Sequence, residues 1–166
     1  MSTDNLIRTV HRNFSLIYLG GFPSPLNDGG GAFLSFICTL TGTEALAGFS
    51  RPKDNNGPRF RAFVKDYFPR PLDGQTDSLW GFRNAAIHGF SPGPYKVIHH
   101  RSNLHLTTDG GLIVLNAEDF YAAFVIEAKK YFDALQGDAS LRAAFEERAQ
   151  DPDTGVLMVG PLTGKP

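Results

Sequence analysis

Leu79-Trp80-Gly81-Phe82-Arg83-Asn84-Ala85-Ala86-Ile87-His88-Gly89-Phe90 is the stretch on which the reading of this chain turns. At about 100° per residue, Leu79, Phe82, Ala86 and Phe90 gather on one stripe, the pattern of a helix that buries a single face. Asn84 and His88, four residues apart, point nearly the opposite way. Arg83 lies between the two faces, roughly 140° around the helix from His88, so its long side chain can reach round although no contact is built in. Asp77 or Ser78 can cap the start, and residues 89–92 end it.

Outward from this helix the same period recurs. Leu6, Val10, Phe14 and Ile17 predict a helix over residues 4–19, ended by Gly20, Gly21, Pro23 and Pro25. Residues 32–46 are apolar nearly all round, which predicts a central bundle helix. The intervening Gly29-Gly30-Gly31 lacks both a preceding strand and a following GK[ST], so it reads as a connector and not as a phosphate loop. Phe60, Phe63, Val64 and Tyr67 predict a helix over 59–68, stopped by Pro69 and Pro71. Residues 95–101, 104–108 and 112–115 are rich in β-branched residues and broken by Ser102-Asn103 and Asp109-Gly110-Gly111, which predicts short hairpin strands. Asn116 is placed to cap a long helix to residue 135, and a shorter helix over 139–149 follows. The expected fold is mainly α: about five helices, with a small β-hairpin inserted before the long helix near residue 116. Residues 1–150 form one domain on this reading, and 151–166, with three prolines and three glycines, a flexible tail.

The chain has 166 residues, 42% hydrophobic and 20% charged, enough apolar surface to offset the ordering entropy of one domain. No basic stretch leads into an apolar one at the N-terminus, and no window is expected to approach a membrane span. The single cysteine, Cys38, lies in an apolar run where a buried thiol is expected, and a reducing cytoplasm fits this usage. The net charge of −1 conceals an uneven distribution: nine basic against four acidic residues over 51–108, but five against ten over 109–166. Residues 78–108 hold no acid, yet contain Arg83, Lys96, Arg101 and four of the five histidines, a composition that favours an anion.

Spacing alone is weak evidence, since with ten arginines and five histidines one Arg and His pair four to six apart is expected roughly once by chance. Context adds more. Phe82-Arg83-Asn84-Ala85-Ala86-Ile87-His88-Gly89 resembles the signature of HEPN domains: arginine, a polar residue, a few mainly apolar residues, then histidine. Arg59-Phe60-Arg61-Ala62-Phe63 and Tyr67-Phe68 before the motif, and the asparagine-led, alanine- and aromatic-rich 112–132 after it, resemble the surroundings of that motif. The likeness covers roughly residues 4–148, with only the motif helix specific.

This resemblance implies an α-helical bundle, commonly a homodimer, and a metal-independent endoribonuclease needing no cofactor, as in toxin–antitoxin, antiviral or RNA-processing systems. It assigns His88 as acid or base, Arg83 as the phosphate-binding residue, and Asn84 as their polar support. The chemistry is sound in itself. An imidazole can take a proton from a ribose 2′-hydroxyl or return one to the leaving oxygen, while a guanidinium holds two phosphate oxygens as charge grows. The implied partners are RNA, a second copy of the chain, and an antitoxin or accessory protein, with no membrane.

Arg59, Arg61 and Lys65 can line a nucleic-acid groove, although surface charge on an amphipathic helix is the commoner explanation. Lys96, His99 and Arg101 are further candidate RNA contacts. His99, His100 and His105 invite a metal reading, but neighbours on a strand face opposite ways and no Cys or carboxylate accompanies them. Trp80 can stack on a base, with helix packing or a dimer contact the more frequent use. Two rivals stand beside the nuclease: a catalytically inactive relative that binds RNA or protein, and a plain interaction module whose motif is accidental.

Overall fold

In a computed structural model describing residues 2–20 and 31–151, Ser2 accepts a hydrogen bond from the Asn5 N–H and opens α1, Thr3–Phe14. The remaining helices are α2 (Ala32–Ser50), α3 (Asn56–Tyr67), α4 (Thr76–Gly89), α5 (Ala117–Ala134) and α6 (Ala139–Gln150). Between α4 and α5 lie three short strands, β1 (Tyr95–Ile98), β2 (Thr108–Asp109) and β3 (Leu112–Asn116). The fold is mainly α with a small β insertion, as the periodicities predict. The expected 21–30 connector and the 152–166 tail lie outside the described residues.

Helix α2 is the centre, packing against α3, α4, α5 and α6. Its length and mean hydropathy of 1.4 would by themselves suffice to cross a bilayer, contrary to the expectation from the sequence, but 61% of it is buried within the bundle. Two aromatic-rich clusters flank it. One gathers Phe36, Phe60, Leu79, Phe82 and Phe120, and the other Phe14, Leu46, Phe63, Phe124, Tyr131 and Phe145. The α2–α5 approach depends on Gly42, where a Cβ would fall 2.5 Å from the Phe124 ring. Any side chain there would overpack the seam.

Several boundaries differ for identifiable reasons. After Phe14 the chain runs through a π turn, Ser15–Leu19, whose extra residue rotates the stripe. Ile17 is therefore turned outward, and Tyr18 packs on Phe14 instead. Helix α2 continues to Ser50, and α3 starts at Asn56, a turn before its first buried residue. Gln75, not Asp77 or Ser78, occupies the N-cap of α4 without a side-chain cap. Phe90 does not complete the α4 stripe: it adopts a left-handed φ of 52° and is 72% exposed, while Tyr95 packs against Phe82 in its place.

The sheet is also not a simple meander. Its order is β1-β3-β2, with β1 parallel to β3 (Tyr95↔Ile113, Ile98↔Asn116) and only β2 paired antiparallel to it across Gly110-Gly111. Residues 104–107 form no strand, because a 3-10 turn, Ser102–Leu104, reverses the chain first. Asn116 is the pivot. Fully buried, it donates its N–H to His105 Nδ1 (3.1 Å), accepts from the Arg101 N–H (3.0 Å) and donates Nδ2 to Asp119 (2.6 Å). It stands at the N-cap of α5, yet its side chain binds the loop and not the helix amides, a correction to the expected cap.

Candidate functional site

Helix α4 carries Arg83, Asn84 and His88 along the side it does not bury in the cluster around Phe82. The arginine is held from several directions. Its Nε donates to Glu44 Oε2 of α2 at 2.8 Å, and its Nη2 lies 2.6 Å from the same oxygen. Nη1 donates to Asn84 Oδ1 at 3.1 Å, and the guanidinium carbon stands 5.5 Å from the centre of the Trp80 ring. The Arg83 and Glu44 side chains are only 16% and 14% exposed, so water screens this pair weakly. Glu44 takes the Nε side and Asn84 one Nη1 proton. What remains for a ligand is the outer edge of the planar fork.

Glu44 was not legible from the motif, which lies 39 residues away. One signal pointed to it: it is the sole charged residue among the nineteen of α2. A lone carboxylate in a buried apolar helix must find a cation, and Arg83 supplies it.

The imidazole of His88, in the last turn of α4, is exposed and forms no hydrogen bond or ion pair with Arg83, Asn84 or any other side chain among the described residues. Beside it Ile87 and Phe90 stand at the surface, with Phe33 of α2 ringed against Phe90 at 5.3 Å. The motif histidine thus borders an apolar surface of large side chains.

Trp80 is half-buried against Phe60, and the Arg61 guanidinium lies over its ring at 5.6 Å while binding Asp77 at 2.5 Å. Its use is packing and cation–π contact with two arginines. Arg59 is partly buried, its pKa depressed by burial and by the neighbouring Arg148. Lys65, on the same helix, is exposed.

The acid-free stretch over 78–108 does not give an acid-free surface, because carboxylates from other elements meet most of its cations. Glu44 meets Arg83, and Asp109 meets Lys96. Glu118 accepts from the backbone N–H of His100, its Oε1 lying 2.7 Å from the Nδ1 of that residue, which holds a left-handed conformation with φ 56°. His99 packs edge-on against His100 at 4.6 Å. His105 accepts from Asn116, and burial lowers its pKa. The three histidines serve three different contacts, and no metal-binding group of His, Cys, Asp or Glu occurs among the described residues. Lys96 and Arg101 border a cleft of about 470 Å³ floored by Ile98, Leu104 and Val114. Cys38 is half-buried, and burial raises its pKa.

No family model matches this chain, and no curated protein or solved structure matches it either. The likeness to HEPN domains therefore rests on the motif residues and their setting.

Proposed function

We propose that the chain is a metal-independent endoribonuclease of HEPN type, cleaving RNA by attack of the ribose 2′-hydroxyl on the adjacent phosphodiester. The observation that carries this reading is Arg83, fixed by Glu44, Asn84 and Trp80 on the helix whose next exposed turn presents His88. A fork held on one side, with donors left over on its outer edge, suits the growing charge of a pentacoordinate phosphorane, because its orientation is set before the substrate arrives. His88 moves the proton.

One helix supplies one histidine, and general acid and base roles call for two groups. A second copy related by a two-fold axis through the motif helices would supply the other, and the exposed Ile87 and Phe90 beside His88 suit such a contact. The reading extends to a cytoplasmic protein with RNA as substrate, in a toxin–antitoxin or defence setting where an antitoxin or accessory protein acts on it.

A second reading has its own observation. Glu44 neutralises Arg83, and an arginine so paired also suits an inactive module that binds RNA or protein. Cleavage of a mixed RNA pool at neutral pH with excess chelator separates the two. The nuclease cuts and forms 2′,3′-cyclic phosphate ends, and His88→Ala lowers the rate by about a hundredfold to ten-thousandfold while RNA still binds. Activity lost on chelation, or retained in His88→Ala, leaves the binding module.

A further inference from the structure

The side chains of Arg59, from α3, and Arg148, from α6, meet over the bare backbone of Gly48 in α2. A Cβ at Gly48 would lie 3.5 Å from Arg148 Nε and 3.7 Å from both Cζ and Nη2 of Arg59, so the two cationic groups share one floor. Arg59 Nε is buried and has no hydrogen-bond partner among the described residues. The one bond recorded for its guanidinium runs from Nη1 to the Asp54 carbonyl at 3.5 Å, the long limit for such a contact. Arg148 gives Nη1 to Asp151 at 3.0 Å.

Asp151 meets the charge of Arg148, but Arg59 beside it has no carboxylate in contact among the described residues, and its buried donor is costly unless an acceptor completes it. Burial and Arg148 push the Arg59 pKa down, and Glu44 and Asp54 offset this only in part. Glu44 is also the partner of Arg83, and it stands one turn before Gly48 on the same helix. The footholds of Arg83 and of the Arg59 and Arg148 pair on α2 are thus roughly 6 Å apart, comparable to the step between neighbouring phosphates of an extended strand.

We propose that Arg59 and Arg148, seated on Gly48, form a second phosphate site that takes the phosphodiester next to the one held by Arg83. The site rests on the RNA reading above for the identity of its ligand. It adds Arg148, in a helix the motif does not reach, and it fixes the direction of the strand track: from α4 across α2 to α6.

The test is the binding of a fluorescein-labelled single-stranded RNA over a range of KCl, in the non-cleaving His88→Ala background. Arg59→Gln and Arg148→Gln should each weaken binding about three- to tenfold and reduce the salt slope by about 0.7. Arg142→Gln is the control, since Arg142 lies on the same helix and is ion-paired like Arg148, to Asp4 at 2.6 Å, but is not among the groups against Gly48, and it should change affinity less than about twofold. With His88 restored, Arg148→Gln should raise KM and leave kcat within about twofold. Slopes no different from the control overturn the site. Binding with the expected loss of slope but no cleavage leaves the site standing and removes the nuclease reading, cleavage with unchanged slopes removes the site alone, and no affinity for RNA at any salt removes both. Should a Gln variant fail to give the wild-type circular dichroism spectrum, Arg59→Lys and Arg148→Lys keep the charge but lose the fork, and affinity equal to the parent's then overturns the proposal.

Discussion

Glu44 sets what Arg83 can do, and Glu44→Gln isolates that control. The variant keeps an oxygen for Arg83 but loses the charge that fixes the fork, at a stability cost of about 1–3 kcal/mol. In the nuclease, kcat should fall up to about a hundredfold because the fork is no longer aimed, while KM stays level or drops as Arg83 is released toward phosphate. An inactive module instead gains RNA affinity and shows no turnover, so the split between KM and kcat separates a positioning role from mere structural support. A second buried carboxylate, Glu127, has a different part. It is fully buried, accepts from Thr43 at 2.9 Å, and its other oxygen has no hydrogen-bond partner among the described residues. Burial raises its pKa well above the ordinary value of 4.5. The folded state therefore holds a proton that the unfolded chain releases. Stability is full below about pH 4.5 and is lost as pH rises toward the folded pKa. Glu127→Gln removes that dependence and should raise Tm at pH 8 by about 2–4 °C per kcal/mol regained, with little change at pH 4. An equal shift at both pH values in calorimetry would contradict this account.

At the scale of elements, the helices were legible because each buries one stripe and apolar period reports burial. What periodicity does not encode is the partner across space. The π turn after Phe14, the exit of Phe90 and the parallel pairing of β1 with β3 all depend on contacts distant in sequence. The β segment shows the mechanism best. Its residues have strand propensity from 95 to 115, but the loop over 99–107 is fastened by the acidic first turn of α5, through Glu118 to His100 and Asp119 to Ser102, and by Asn116. His105 closes this arrangement by accepting the buried Asn116 N–H, which requires Nδ1 unprotonated. Burial lowers its pKa from 6.5, so the unfolded chain takes up a proton first, and this contribution is full above about pH 6.5 and is lost as pH falls toward the folded pKa. His105→Ala should lower stability at pH 7.5 by about 1–3 kcal/mol, since an orphaned buried N–H remains, and should flatten the loss of stability between pH 6.5 and 5. Urea midpoints at both pH values measure it. A wild type and variant differing equally at pH 7.5 and 5 would show that the imidazole does not act through its protonation state.

For the whole molecule, the motif was legible as a pattern, but its surroundings were not. Sequence placed Arg83, Asn84 and His88 on one helix, and apparent freedom from acids suggested an open anion-binding site, whereas Glu44 closes half of the fork and Asp109 meets Lys96. The exposed edge of the motif helix then becomes the feature that reaches beyond one chain. Phe90 is 72% exposed and Ile87 36%, both bordering the turn that carries His88, and Phe33 of α2 packs on the Phe90 ring. Burial of an Ile or Phe side chain contributes about 1.5–3 kcal/mol, and a two-fold contact counts each residue twice, so this edge can hold a dimer in the micromolar range or tighter once association entropy is met. Light scattering at about 10 μM should give twice the chain mass of 18.2 kDa. Phe90→Asp should return the monomer mass with little loss of fold, because Phe90 lies outside the core and a charged residue is at ease on an exposed loop. If the two copies share one cleft, Phe90→Asp also abolishes cleavage without touching Arg83 or His88. Heterodimers of a wild-type copy with a His88→Ala copy, which keep one histidine in that cleft, should then be nearly as slow as the His88→Ala homodimer, and half the wild-type rate from such heterodimers would place each active site within a single chain.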